Sequence, residues 1–169
     1  DGVVNENDVH DLGIVSGNNH VVSLSLDLRY QNWQFFALLS GAFGGKGWLN
    51  TDYYWFKGTS AKYSEFALQA YNPENPNPDA ACPRLSLGNS SNNYRNSSYW
   101  LYDRSYINLD AVQLAYNFDF RESSPLRKLK VYLRASNLLK IAKDKDVLEL
   151  NVGKAPQNRL VSLGIVTSF

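Results

Sequence analysis

A chain of 169 residues is long enough for one domain with a hydrophobic core. Its 17 Lys and Arg balance 16 Asp and Glu, so no charge excess points to nucleic acid, and one cysteine, Cys82, excludes an internal disulfide. No apolar run reaches the roughly 18 residues of a transmembrane helix. A membrane β-barrel stays open, because alternating strands keep mean hydropathy low, here −0.37.

The chain opens on turn chemistry, "DGVVNENDVHD", and contains no Met, so its natural start is expected upstream. Asp1-Gly2 matches the middle of an EF-hand-like calcium loop, Val4 its apolar position and Asp8 its closing carboxylate. Asp1, the Val3 carbonyl, Asn5 and Asp8 would offer oxygens to a hard cation, so Ca²⁺ is a candidate ligand. A Gly-containing turn held by Asx hydrogen bonds is the plainer reading of the same residues.

"HVVSLSLDLRY" (20–30) then alternates strictly. Val22, Leu24, Leu26, Leu28 and Tyr30 share one face, and Ser23, Ser25, Asp27 and Arg29 the other. Gln31-Asn32 reads as a tight hairpin turn into a second strand at 33–44, with Trp33, Phe35, Ala37, Leu39 and Phe43 in phase. Residues 45–105 form a long polar excursion. Within it, a helix is expected near Ser60–Tyr71 with Thr59 or Ser60 as cap, whereas the prolines of "NPENPNPDAACPR" (72–84) forbid regular structure. "LGNSSNNYRNSS" (87–98) reads as polar loop.

A third strand is expected over 106–118, where Val112, Leu114, Tyr116 and Phe118 fall together. "RESSPLRK" (121–128) links it to a fourth at 129–138. There Leu129, Val131, Leu133 and Ala135 alternate with Lys130, Tyr132, Arg134 and Ser136. Residues 138–158 read as a second long loop. The last strand, 159–169, puts Val161, Leu163, Ile165 and Phe169 on one side.

The fold class read from this pattern is all-β. Two architectures compete, a segment of an antiparallel transmembrane β-barrel and a soluble β-sandwich. Three features favour the barrel. Tyr30, Trp33, Tyr116 and Phe118 cluster beside the short turns, as an interfacial aromatic girdle does. Asp27, Arg29, Lys130 and Arg134 are too charged for sheltered sandwich positions. A long apolar strand at a free edge is an aggregation hazard in water.

"DGVVNENDVHDLG", "SLSLDLRYQNWQFFALLSGAFG", "SSYWLYDRSYINLDAVQLAYNF" and "LKVYLRASNLLKI", in that order, resemble the carboxy-terminal part of SusC/RagA-type TonB-dependent outer-membrane transporters. Family members usually have a basic residue where Asn108 stands. The resemblance implies the closing five strands of a barrel of roughly 22, in the bacterial outer membrane, with 45–105 and 138–158 as extracellular loops. The plug and the TonB box would lie in the upstream part. Expected partners are the remaining strands and plug, a SusD-like surface lipoprotein, TonB, outer-membrane lipid and the barrel assembly machinery. Leu163, Ile165 and Phe169 resemble the signal that this machinery recognises. The implied activity is import of oligosaccharides or oligopeptides.

Within the loops, Trp48, Tyr53, Tyr54, Trp55, Tyr94, Tyr99 and Trp100 offer rings to a ligand or lid, and Arg95 and Arg104 offer charge to a carboxylate. Packing of the loop against itself is the competing role for each ring. His10, His20 and Cys82 are too scattered in sequence to read as a metal set. No nucleophile motif or carboxylate pair stands out, so the expectation is a non-enzyme that needs no cofactor. The alternative function is a secreted carbohydrate-binding β-sandwich. A piece of some other outer-membrane barrel is a third reading.

Overall fold

The computed structural model describes residues 6–14, 16–57, 62–86, 92–120 and 126–168. Their regular strands are β1 (His20–Tyr30), β2 (Trp33–Phe43), β3 (Lys46–Trp48), β4 (Leu101–Asp103), β5 (Tyr106–Asp119), β6 (Lys128–Ala142) and β7 (Leu160–Ser168). One short helix, α1 (Lys145–Leu150), lies between β6 and β7. The chain divides into two compact units. One holds residues up to Ser16 with Lys46–Tyr102, and the other holds Gly17–Gly45 with Asp103–Phe169.

The second unit is one antiparallel sheet in the order β1-β2-β5-β6-β7. Its strands of 9 to 15 residues exceed the five or six typical of soluble sheets, at about 3.3 Å per residue. Gln31 adopts φ +53 in the two-residue turn between Tyr30 and Trp33. That left-handed φ suits hairpin turns whose twist matches the strands. Asn32 ties the turn to the end of β5: its Nδ2 donates to the Asn117 carbonyl (2.6 Å), and the Asn117 N–H donates to the Asn32 carbonyl (2.9 Å).

Directly paired residues share a face. The register therefore extends the apolar set across the sheet: Leu24 opposite Leu39, Leu28 opposite Phe35, Phe35 opposite Leu114, Leu114 opposite Leu133, and Leu133 opposite Leu163. Trp33, Tyr116 and Phe118 end this face in edge-to-face contacts of 4.8 and 4.6 Å. A sandwich would bury these side chains against a second sheet. Here Leu24, Leu133, Leu163 and Ile165 stay exposed, Leu163 at 72%.

Strict alternation fails within β5, and the failure is repaired. Leu38 pairs with Ala111 but Leu39 with Leu109, so Asp110 is an extra residue in β5. Across the next seam Ala111 pairs with Ser136 and Leu109 with Leu139, so Asn137 and Leu138 together face Asp110. Each strand thus carries one more residue than its neighbour along a single line. A β-bulge inserts one residue and reverses which way the following side chains point. By this device Ile107, Leu109, Leu139 and Ile141 rejoin the apolar face. Asn108 and Lys140 turn to the polar one. Asn137 takes φ +54 at the bulge, a conformation Asn tolerates better than most residues.

Several bounds differ from the sequence expectation. The fourth strand runs through Asn137 to Ala142, because the bulge absorbs the break in alternation that marked its expected end. The loop expected at 138–158 therefore starts later and contains α1. The helix expected over Ser60–Tyr71 reduces to a 3₁₀ segment, Glu65–Gln69. Ser64 caps it instead, its hydroxyl accepting from the Phe66 N–H, while Thr59 and Ser60 lie outside the described residues.

Candidate functional site

On the polar face of the sheet a chain of side chains crosses from β1 to β6. Arg29 Nε contacts Asp27 Oδ1 at 3.2 Å, Gln34 Nε2 donates to Asp27 Oδ2 at 3.4 Å, and Lys130 Nζ donates to Gln34 Oε1 at 2.9 Å. Gln34 pairs with Ala115 of β5 and Lys130 with Asn117, two residues along the same face, so this hydrogen bond spans β5 diagonally. The Arg29–Asp27 pair is largely solvated and adds little stability by itself.

Beyond the bulge, the polar face closes in. Asn108 is 4% exposed and Lys140 8%. The Asn108 amide donates to Asp110 and, at 3.4 Å, to Asn137 Oδ1, and Asn137 Nδ2 donates to the Asn158 carbonyl at 3.2 Å. The Lys140 ammonium lies 5.3 Å from the centre of the Tyr106 ring, close enough for a cation–π attraction. Nearby, Asp144 spends its carboxylate on the Asp103 N–H (2.5 Å) rather than on capping α1. Glu149 of α1 meets Lys145 and Arg159 at 3.8 and 3.6 Å. Sequence reasoning gave Asn108 no role. Its signal was an amide next to a break in the two-residue period.

The first unit, by contrast, is built around aromatic rings. Trp100 and Cys82 are fully buried, and Tyr54, Phe56 and Tyr94 join them. Trp100 stacks near Tyr94 (6.0 Å between ring centres) and meets Tyr99 edge-on at 5.0 Å. Its Nε1 donates to the Asn93 carbonyl at 2.9 Å. A buried indole N–H with a carbonyl partner is a satisfied core group. Tyr54 sits edge-on to both Tyr53 and Phe66, at 4.9 and 5.0 Å. Burial, with smaller repulsion from Tyr53 and Tyr102, pushes the Tyr54 phenol up to about 12. Burial alone pushes the Cys82 thiol up to about 11, which leaves it protonated and unreactive near neutral pH.

The ring residues singled out from sequence thus divide. Tyr54, Tyr94 and Trp100 are core. Trp48, in β3, is partly covered, and Arg95 is exposed. Tyr53 and Trp55 line a cleft of about 610 Å³ with Asp52, Lys57, Lys62, Tyr63 and Ser64. Sequence reasoning missed the lysines and Tyr63, because nothing in their spacing marks them as neighbours. A smaller cavity of about 370 Å³ lies over Cys82, Tyr99 and Trp100. Among the described residues no group of His, Cys, Asp and Glu could hold a metal ion. Asp8 is exposed, whereas Asp1 and Asn5 of the calcium-loop reading, and Phe169 of the assembly signal, lie outside the described residues.

Neither a protein-family model nor a curated protein matches the chain. Solved structures do. The chain is similar to the RagAB peptide importer in its "closed-closed" state, with 24% identity and a TM-score of 0.64, covering 88% of this chain and 17% of that one. Against the "open-open" state the identity is 22% and the TM-score 0.63, with the same coverage. A third structure, of the RagAB peptide transporter, gives 23% and 0.53 over 72% of this chain and 13% of that one. The chain therefore spans about a sixth of the length of the proteins whose fold it shares, and at these identities the likeness is one of fold: a five-stranded segment of a β-barrel wall.

Proposed function

We propose that this chain forms closing strands of a SusC/RagA-type outer-membrane barrel that imports oligopeptides, with TonB supplying energy and a SusD-like lipoprotein as lid. The observation that carries the reading is the continuous apolar face. It runs from β1 to β7, with Leu24, Leu114, Leu133 and Leu163 exposed among the described residues, and is kept continuous by a two-strand bulge. Acyl chains are the environment in which such a face is stable, and barrel closure satisfies the free backbone groups of the outer edges of β1 and β7. The opposite, polar face then lines the lumen. Peptide rather than glycan import follows the peptide importers whose fold the chain shares. No cofactor or enzymatic step belongs to this reading.

Uptake of a radiolabelled decapeptide by cells producing the full-length protein tests it. Uptake is expected to need the protein and to collapse when the proton-motive force is dissipated. Uptake that is indifferent to both would contradict the proposal, and competition by neutral oligosaccharide alone would move the substrate to glycans.

A further inference from the structure

The cleft beside Trp55 has a chemistry that its rings alone do not convey. Trp55, the largest stacking platform in it, is already engaged. The Lys57 ammonium sits over the ring at 4.5 Å, and Trp100 meets it edge-on at 5.9 Å. Lys57 thus competes with a sugar ring for a face of Trp55. Ser64 is engaged as well: its hydroxyl donates to the Tyr53 carbonyl at 2.5 Å and accepts from the Phe66 N–H.

What remains at the cleft is charge. Lys57 and Lys62 oppose a single carboxylate, Asp52. In addition, the buried indole N–H of Trp55 meets no acceptor among the described residues. The lining therefore sets two ammonium groups against one carboxylate. Lys57, held over Trp55, is pre-positioned, so less side-chain freedom is lost when it binds an anion. Tyr53 and Tyr63 contribute apolar ring surface beside these charges, against which a peptide side chain can pack.

We propose that this cleft is a carboxylate subsite for oligopeptide, with Lys57 and Lys62 holding a peptide carboxylate, terminal or side-chain, and Asp52 accepting from a peptide N–H or ammonium. The proposal rests on the peptide-import reading and deepens it. The uneven charge, two cations to one anion, selects acidic or carboxy-terminal segments over basic ones.

Calorimetric titration of the full-length protein tests the subsite with two probes. One is a decapeptide of Ala, Ser and Glu with a free carboxy-terminus. The other is the same peptide with Gln for Glu and an amidated end. The double variant K57Q/K62Q is expected to bind the charged peptide about tenfold more weakly, equivalent to about 1.4 kcal/mol, and the uncharged peptide within about twofold of the parent. Both substitutions are at solvent-exposed side chains, and an unchanged thermal transition verifies the fold. Equal affinities of parent and variant for the charged peptide would overturn the subsite while leaving peptide import standing. Binding of oligogalacturonate to the parent, lost in the double variant and with no peptide binding, would reassign the cleft to acidic glycans. A parent protein that binds neither peptide would overturn the import reading itself.

Discussion

Gly164 lacks a side chain where Tyr132 needs the space. The two face each other across the β6–β7 seam, and a Cβ on Gly164 would meet the Tyr132 ring at 2.2 Å. The ring thus covers the backbone of the last strand and compensates for the packing a strand glycine forfeits. Gly47 and Tyr102 repeat the device between β3 and β4. Gly164→Ala is expected to force the Tyr132 ring aside and to destabilise the full-length barrel by about 1–3 kcal/mol in a denaturant titration. In a Tyr132→Ala background the same change should cost less than half as much, because the clash is gone. An equal cost in both backgrounds would show that the ring is not what constrains residue 164. Nothing in the sequence paired this glycine with that tyrosine, which stand 32 positions apart and meet only through register.

At the scale of elements, the strands were legible because one face of each is apolar and the other is not, which a period of two reports directly. The bulge was written in the same pattern and was overlooked. Ile107 and Leu109 are out of phase with Val112 and Leu114, and one extra residue at Asp110 reconciles them. The same blind spot ended β6 too early, since Asn137, Leu138 and Leu139 break the alternation that Asp110 restores across the seam. Deleting Asp110 is expected to reverse residues 106–109, exposing Asn108 to the apolar face and turning Leu109 inward. The full-length protein should then lose the heat-modifiable band of a folded barrel. Asn137→Val, which forces a β-branched residue to φ +54, should fold but lose about 1–2 kcal/mol. A deletion variant that retains the folded band and its stability would mean that the register line is not needed.

The helix expected after Thr59 failed for a local reason. Ser64 caps a single 3₁₀ segment, and the Pro-rich stretch from Pro73 stops any extension. The loop site was only partly legible. Aromatic content pointed to Trp55 and Tyr53, but three of the rings chosen with them are core, because an isolated ring in a sequence carries no sign of which side it buries. Lys57, Lys62 and Asp52 gave no motif at all. Their proximity comes from the folded loop and not from spacing.

For the molecule as a whole, the governing quantity is what touches the apolar face. Large aliphatic side chains exposed on β1, β5, β6 and β7, with Trp33 exposed on β2, would drive aggregation in water, and a second protein layer or lipid must cover them. The in-phase order of residues across every seam, maintained through the bulge, gives that face one boundary from strand to strand. Aromatic rings cluster at the end beside the short turns, as at a membrane interface. The charged face opposite carries the Asp27–Gln34–Lys130 chain and the Asn108 network.

Site-directed spin labelling decides between the two coverings. With Cys82 changed to Ser, single cysteines are placed at Leu24, Leu109, Leu133 and Leu163, and at Ser25, Asn108, Arg134 and Ser162, in the full-length protein reconstituted in bilayers. Collisional relaxation by oxygen, which concentrates in lipid, and by a water-soluble nickel chelate is then measured. The expected result is oxygen access at the four leucine positions, including Leu109 beyond the bulge, with low oxygen access at the other four. Leucine positions shielded from oxygen and chelate alike would mean a dry protein layer over that face, and the barrel account would fall.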